Sequence, residues 1–159
     1  MSPIRSGLVA SSSLQALVCE GLGAVERKHL KLIEGDVRSK FGDSLDIDKA
    51  FHKKHEEENR WDYLLGHADS RQIVGLEPHT ANNSEISVVI NKRAASLQHL
   101  RGHLKPGVFV SEWFWVASGK VDFTAMDKAL LRLTASGIDF VGKALLAKKL
   151  PGASPKKRK

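Results

Sequence analysis

The apolar and polar positions along the chain resolve into a short series of elements. Between Ser12 and Lys40, apolar residues recur at Leu14, Leu17, Val18, Leu22, Val25, Leu30, Ile33 and Val37, the spacing of one helix face. Serines at 11–13 suit its N-cap, Gly42 stands where it would end, and Gly21 and Gly23 weaken its interior enough to split it in two. The charged run "DSLDIDKAFHKKHEEENR" reads as a short strand followed by a turn or loop. "WDYLLG" (61–66) and "RQIVGLEPH" (71–79) are two short strands in hairpin arrangement around the turn "HADS".

The next segment, "NNSEISVVINKRAASLQHLRGHL", is helical by period, with Asn82 and Glu85 at capping-box spacing and Pro106 and Gly107 at its end. "VFVSEWFWVAS" (108–118) is apolar on both faces apart from Ser111 and Glu112, as an interior strand is. Thr124 and Asp127 open another helix that stops at Gly137, and "IDFVGKALL" reads as a last strand or a mixed strand and helix turn. The order helix, two or three strands, helix, strand, helix, strand predicts an α/β (α+β) fold, one domain over 1–150 with a mixed central sheet flanked by helices. Residues 151–159, "PGASPKKRK", have the composition of a disordered, basic tail.

Composition narrows the class. Hydrophobic residues make up 42% and charged residues 27%, which excludes a chain disordered throughout. The one cysteine, Cys19, cannot close an internal disulfide and sits among apolar helix positions, as an inert buried thiol does. This fits an intracellular, cytoplasmic setting, or a nuclear one if the source is eukaryotic, given the "SPKKRK" run. The apolar stretch near the amino terminus is interrupted by serines and Glu20, so it reads as a mature helix rather than a secretory signal. No segment approaches the ~20 apolar residues of a membrane span, so no membrane partner is expected.

The net charge of +7 is concentrated. Residues 148–159 hold six basic side chains and no acid, leaving 19 basic against 18 acidic over the other 147 residues. Within that body, 41–90 carries 5 basic and 10 acidic residues, and 91–147 carries 8 and 4. Such a polarised domain suits an acidic centre beside a surface for polyanions. The expected nucleic-acid contacts are Lys92, Arg93, Arg101 and Lys105, with Lys156, Lys157, Arg158 and Lys159 in the tail.

One stretch, "IVGLEPHTANNSE", raises a question of chemistry. Glu77 and His79 are two apart, so on a strand they share a face, and Pro78 between them is tolerated only at a strand end, edge or bulge. Asp62 alternates with Trp61 and Tyr63 and therefore faces the side that holds Leu64; an acid there needs a partner or an exposed face.

With Glu26 in "GAVERKHL", Asp62 in "RWDYLL" and Glu77 with His79 in "VGLEPHTA", residues 20–117 resemble the PD-(D/E)XK nuclease-like superfamily. The resemblance implies a restriction-endonuclease-like core of a helix, three strands, a helix and a strand. It implies Glu26, Asp62 and Glu77 as ligands of Mg2+ or Mn2+, and a metal-dependent nuclease acting on the phosphodiesters of DNA or RNA. The departure is His79, which stands where the family has lysine. Lys92 in the following helix is then the displaced cation, and Glu77, His79 and Lys92 are the catalytic candidates. As a metal ligand, His79 would favour manganese or another transition metal over magnesium.

Two rival readings stand beside this one: a catalytically inactive nucleic-acid-binding or regulatory module of the same fold, and an oligomeric interaction protein, a homo-oligomer burying its aromatic strand. Plainer roles also remain for single residues. Glu26 can pair with Arg27 or Lys28 on a solvated helix. Trp113, Phe114 and Trp115 suit a core better than base stacking. The pairs His52 with His55 and His99 with His103 place two imidazoles on one helix face, with no third ligand in view.

Overall fold

The computed structural model describes residues 2–52 and 60–152. The helices are α1 (Pro3–Gly7), α2 (Arg27–Leu30), α3 (Gly35–Arg38), α4 (Ile47–Phe51), α5 (Ile86–Leu100) and α6 (Met126–Ala135). The strands are β1 (Cys19–Glu20), β2 (Phe41–Asp46), β3 (Tyr63–His67), β4 (Gln72–Asn82), β5 (Val110–Asp122) and β6 (Asp139–Phe140). All six join one sheet in chain order. Pairing is antiparallel from β1 to β4 and parallel from β4 to β6. A four-residue turn joins β3 to β4, whereas α5 and α6 are the crossovers that a parallel pair requires. The expected α+β class with a mixed sheet flanked by helices is the observed one.

Alternation along the central strands divides the core in two. Leu64, Ile73, Trp113 and Trp115 pack with Val89, Leu100, Ala129 and Leu133 of α5 and α6. Tyr63, Leu65, Val74, Leu76, Phe114 and Val116 pack on the opposite face with Val25, Ile33, Val37 and Leu145. On the α5 face Trp61 and Trp113 meet edge to face, with ring centroids 5.3 Å apart. Gly75 makes this possible, since a Cβ there would stand 2.6 Å from the Trp113 ring and 3.1 Å from Trp61 Nε1. Trp113, Phe114 and Trp115 are all buried, so this triplet is core and presents no stacking surface.

Several sequence expectations are corrected. The long helix over 12–40 does not form; a 3-10 turn at Ser13–Leu17, β1, α2 and α3 replace it. Its apolar stripe serves two cores rather than one, because Leu14 and Val18 join the α5 face and Val25, Ile33 and Val37 the other. Gly21, at φ +53, supplies the left-handed turn that a continuous helix cannot contain. Cys19 accordingly lies on β1, half-buried rather than fully buried. Neither capping box is made: α5 and α6 begin without a side-chain cap, and Thr124 Oγ1 instead accepts from Asn83 Nδ2. The hairpin, the interior strand, α6 stopping at Gly137 and the short last strand form as expected. Among the described residues no helix is long and apolar enough to cross a membrane. Of the basic tail at 151–159, residues 153–159 lie outside the described residues.

Candidate functional site

The β3–β4 ladder stops at the pair Tyr63 and Leu76, and the site begins there. Beyond that pair β4 continues along β5 with its other edge open, so Pro78 breaks no ladder bond to β3. Where the ladder ends, a side chain continues it: the Asp62 backbone N–H donates to Glu77 Oε1 at 2.8 Å. Two neighbouring bonds fix the same corner. Trp61 N–H donates to Ser96 Oγ of α5 at 2.8 Å, and Ile47 N–H donates to the Asp62 carbonyl at 3.0 Å.

Glu77 is fully buried, on the α5 face beside Trp115. Its second oxygen meets two basic groups. Lys92 Nζ, from the second turn of α5, is 2.5 Å away, and His79 Nδ1 is 3.3 Å away. The far nitrogen of His79 lies 2.6 Å from Glu85 Oε1. A carboxylate, an imidazole and a second carboxylate thus stand in line, closed off by the lysine. The Trp115 indole N–H donates to the His79 carbonyl at 3.2 Å, which ties the strand end to β5.

The electrostatics follow from burial. Desolvation is the largest influence on Asp62, and the Glu77 charge adds to it, lifting the carboxyl to about 8 against a partial offset from Lys92. Asp62 is therefore largely protonated at neutral pH, and its carboxyl makes no hydrogen bond or ion pair with a described residue. Burial alone would lower the Lys92 pKa, but Glu77, aided by Asp62 and Asp48, overrides it and raises it. The hydrogen bond to Glu77, opposed by burial and aided by Glu85, holds His79 above its ordinary value. Burial by itself pushes a lysine or histidine towards its neutral form; here the carboxylates favour the charged form.

Glu26 is elsewhere. It stands at the N-cap position of α2, its side chain 57% exposed and its carboxylate 3.6 Å from Lys28, the solvated pairing that its neighbours in sequence allow. Its N–H donates to the Tyr63 hydroxyl at 3.2 Å, which also contacts His29 Nδ1 at 2.6 Å. Glu26 lines a separate cavity of about 460 Å3 with Asp46 and Lys49. Among the described residues no three His, Cys, Asp or Glu side chains are grouped so as to hold a metal ion. The three-carboxylate set of Glu26, Asp62 and Glu77 is thus not assembled. A hard cation at this corner would have only Asp62 and Glu77 as carboxylate donors, with waters and phosphate completing its shell, as magnesium is commonly held. An Asp62 carboxyl without a protein donor fits that donor set.

The remaining candidates are placed as follows. Lys92 points inward to Glu77 and is no surface phosphate contact. Arg93 lies over the Trp113 ring, 5.6 Å from its centroid, while Arg101 and Lys105 are exposed. His99 and His103 both pack on the Phe51 ring, and His103 Nδ1 contacts Ser12 Oγ at 2.8 Å. His52 is exposed and His55 lies outside the described residues. Glu85 and Ser96 were missed as site residues. Glu85 reads from the sequence as a helix cap, and only the 3-10 turn at Asn83–Glu85, which folds back towards β4, turns it onto His79. No family model matches the chain, and neither a curated protein nor a solved structure shows significant similarity to it.

Proposed function

We propose that the protein is a nuclease-like protein acting on nucleic-acid phosphodiesters with a divalent cation, Mg2+ or Mn2+, at Asp62 and Glu77. The observation that carries this reading is the convergence of Asp62, Glu77 and Lys92, drawn from a strand start, a neighbouring strand and the following helix, on one partly buried corner of the sheet. That corner is where the resemblance to PD-(D/E)XK nucleases puts its two strand acids, with the cation moved from the strand to α5. A bound divalent ion would supply neutralisation of phosphate charge and a bound water of lowered pKa.

The side chains themselves have definable work. Asp62 and Glu77 are the oxygen donors. Lys92 holds Glu77 in place and offers a positive charge to a phosphate oxygen or an attacking hydroxide. His79, oriented by Glu85, is placed to take or give a proton beside the reacting phosphate. Incubation of the full chain with labelled single- and double-stranded oligonucleotides in Mg2+ or Mn2+ tests the reading. Cleavage by the wild type, lost in Asp62→Asn and Glu77→Gln folded variants, is the expected outcome; cleavage that persists in both removes it.

A second reading has its own observation. Both Glu77 oxygens are already engaged by Asp62 N–H, Lys92 and His79, so the ion cluster is complete as a structural element. On that reading the domain binds nucleic acid without cutting it, and EDTA leaves binding and stability unchanged.

A further inference from the structure

Among the described residues, the exposed large aromatic lies not in the tryptophan strand but just before it. Phe109 is 69% exposed and stands between two grooves. One, of about 530 Å3, is lined by Arg71, Gln72, Gly107 and Ser111 among others. The other, of about 440 Å3, is lined by Arg93, Leu97, Arg101 and Trp113 among others. Neither groove has an acidic residue in its lining. Lys105 is exposed on the same loop, four residues before Phe109.

The side chains of Arg71, Arg93, Arg101 and Lys105, around these acid-free linings, make no hydrogen bond or ion pair with a described residue. Arg93 keeps only its contact with the Trp113 ring, and its Nε is buried without a hydrogen-bond partner. Gly137, at φ +78, is the residue that leaves room for it, because a Cβ would come within 2.8 Å of the guanidinium. Arg71 is the one non-glycine at positive φ among the described residues, at +62. Glycine or asparagine would hold that hairpin turn with less strain, and strain retained beside a groove points to the side chain it presents.

We infer that Phe109, with Arg71, Arg93 and Arg101 around it, is a docking site for single-stranded nucleic acid. An exposed ring stacks on an unpaired base, and free guanidinium groups on both sides take the flanking phosphates. The charge of the grooves selects a polyanion over an apolar protein surface. Val110 pairs with Ile73, and Glu77 is four residues further along β4, so Phe109 lies ~17 Å along the strand direction from Glu77 at ~3.3 Å per residue. Arg93 and Glu77 share the α5 face. A strand on Phe109 would reach the Asp62–Glu77 corner within about five nucleotides, even at the duplex rise of ~3.4 Å. This reach deepens the proposed function and rests on it; the docking itself does not.

Fluorescence anisotropy of a labelled 15-nucleotide oligo(dT) with the full chain in EDTA tests the inference without cleavage. Phe109→Ala weakens binding about tenfold with an unchanged salt slope, since stacking releases no counterions. Arg71→Gln with Arg101→Gln lowers the slope by about 1.4. Leu131→Ala, an equally exposed apolar residue at 72%, leaves binding as it was. A 15-base-pair duplex is insensitive to Phe109→Ala because its bases are already stacked. Unchanged oligo(dT) affinity in folded Phe109→Ala, an equal loss on duplex, or a loss of self-association without a loss of oligonucleotide binding each overturns the inference. Because the assay contains no metal, failure to find cleavage leaves this result standing, and a nuclease that ignores Phe109 still contradicts it.

Discussion

The Lys92 ammonium lies 2.5 Å from Glu77 Oε2, with side-chain exposures of 14% and 0%, so a helix and a strand are joined by a charge pair almost wholly out of water. Removing one member of such a pair leaves the other charge buried without compensation, at a cost of about 3–5 kcal/mol. Lys92→Met and Glu77→Gln should each lower stability in urea unfolding, and the double variant should recover much of the loss. A double variant whose loss equals the sum of the singles would mean that the two groups act independently.

The raised carboxyl of Asp62 predicts a pH dependence. In the unfolded chain it ionises near 3.8, whereas in the fold it stays protonated up to about 8. The unfolded state therefore holds fewer protons between those values, and stability declines as pH rises across that window. In EDTA, Asp62→Asn removes this slope, so its melting temperature should exceed that of the wild type by a widening margin from about pH 4 to pH 8. The difference between the two proteins isolates Asp62 from His79, whose raised pKa also gives stability that is lost above its folded value. Parallel melting curves at all pH values would show an Asp62 that ionises normally.

Glu85 is assigned a positioning role, because it touches His79 at 2.6 Å and not the Asp62–Glu77 corner. Proton NMR titration should find His79 above its model-compound value in the wild type, and lower in Glu85→Gln. A purely structural Glu85 would leave the His79 midpoint unmoved. Glu85→Asp, which keeps the charge, should restore part of the shift.

Ser96 is a buried hydroxyl whose oxygen takes the Trp61 N–H. Ser96→Ala leaves that donor unpaired, a loss of about 1–3 kcal/mol, or about 3–10 °C in melting temperature for a domain of this size. Because the bond fixes the residue before Asp62, divalent affinity should fall as well. A stability loss with unaltered affinity would place Ser96 outside the site.

The sequence was legible where periodicity and function coincide. Alternation placed Asp62 on the Leu64 side and Glu77 with His79, the helical period after Asn83 gave α5, and the turn "HADS" gave the hairpin. Lys92 was singled out as a cation for the strand acids, and α5 turns it onto Glu77. What failed had two physical causes. The apolar residues from Leu14 to Val37 keep helical spacing while serving opposite faces of the sheet, and no local pattern reveals a segment that wraps around an edge. Glu26 carries the right chemistry in the sequence but sits on α2 with Lys28 and solvent, a placement set by that wrapped segment. Glu85 and Ser96 look like a cap and a helix-interior serine; only tertiary contacts give them partners.

The central claim is that Asp62 and Glu77 together hold a divalent cation. Calorimetric titration of Mn2+ and Mg2+ into the wild type, Asp62→Asn and Glu77→Gln tests it most directly, with folding of each variant checked by circular dichroism. The claim predicts saturable binding of one ion by the wild type, weakened about tenfold or more in each variant, because Glu77→Gln removes a charged oxygen donor and Asp62→Asn removes a carboxyl that would give up its proton on binding, each while keeping its shape. No binding heat from the wild type, or equal affinity in all three proteins, would contradict it.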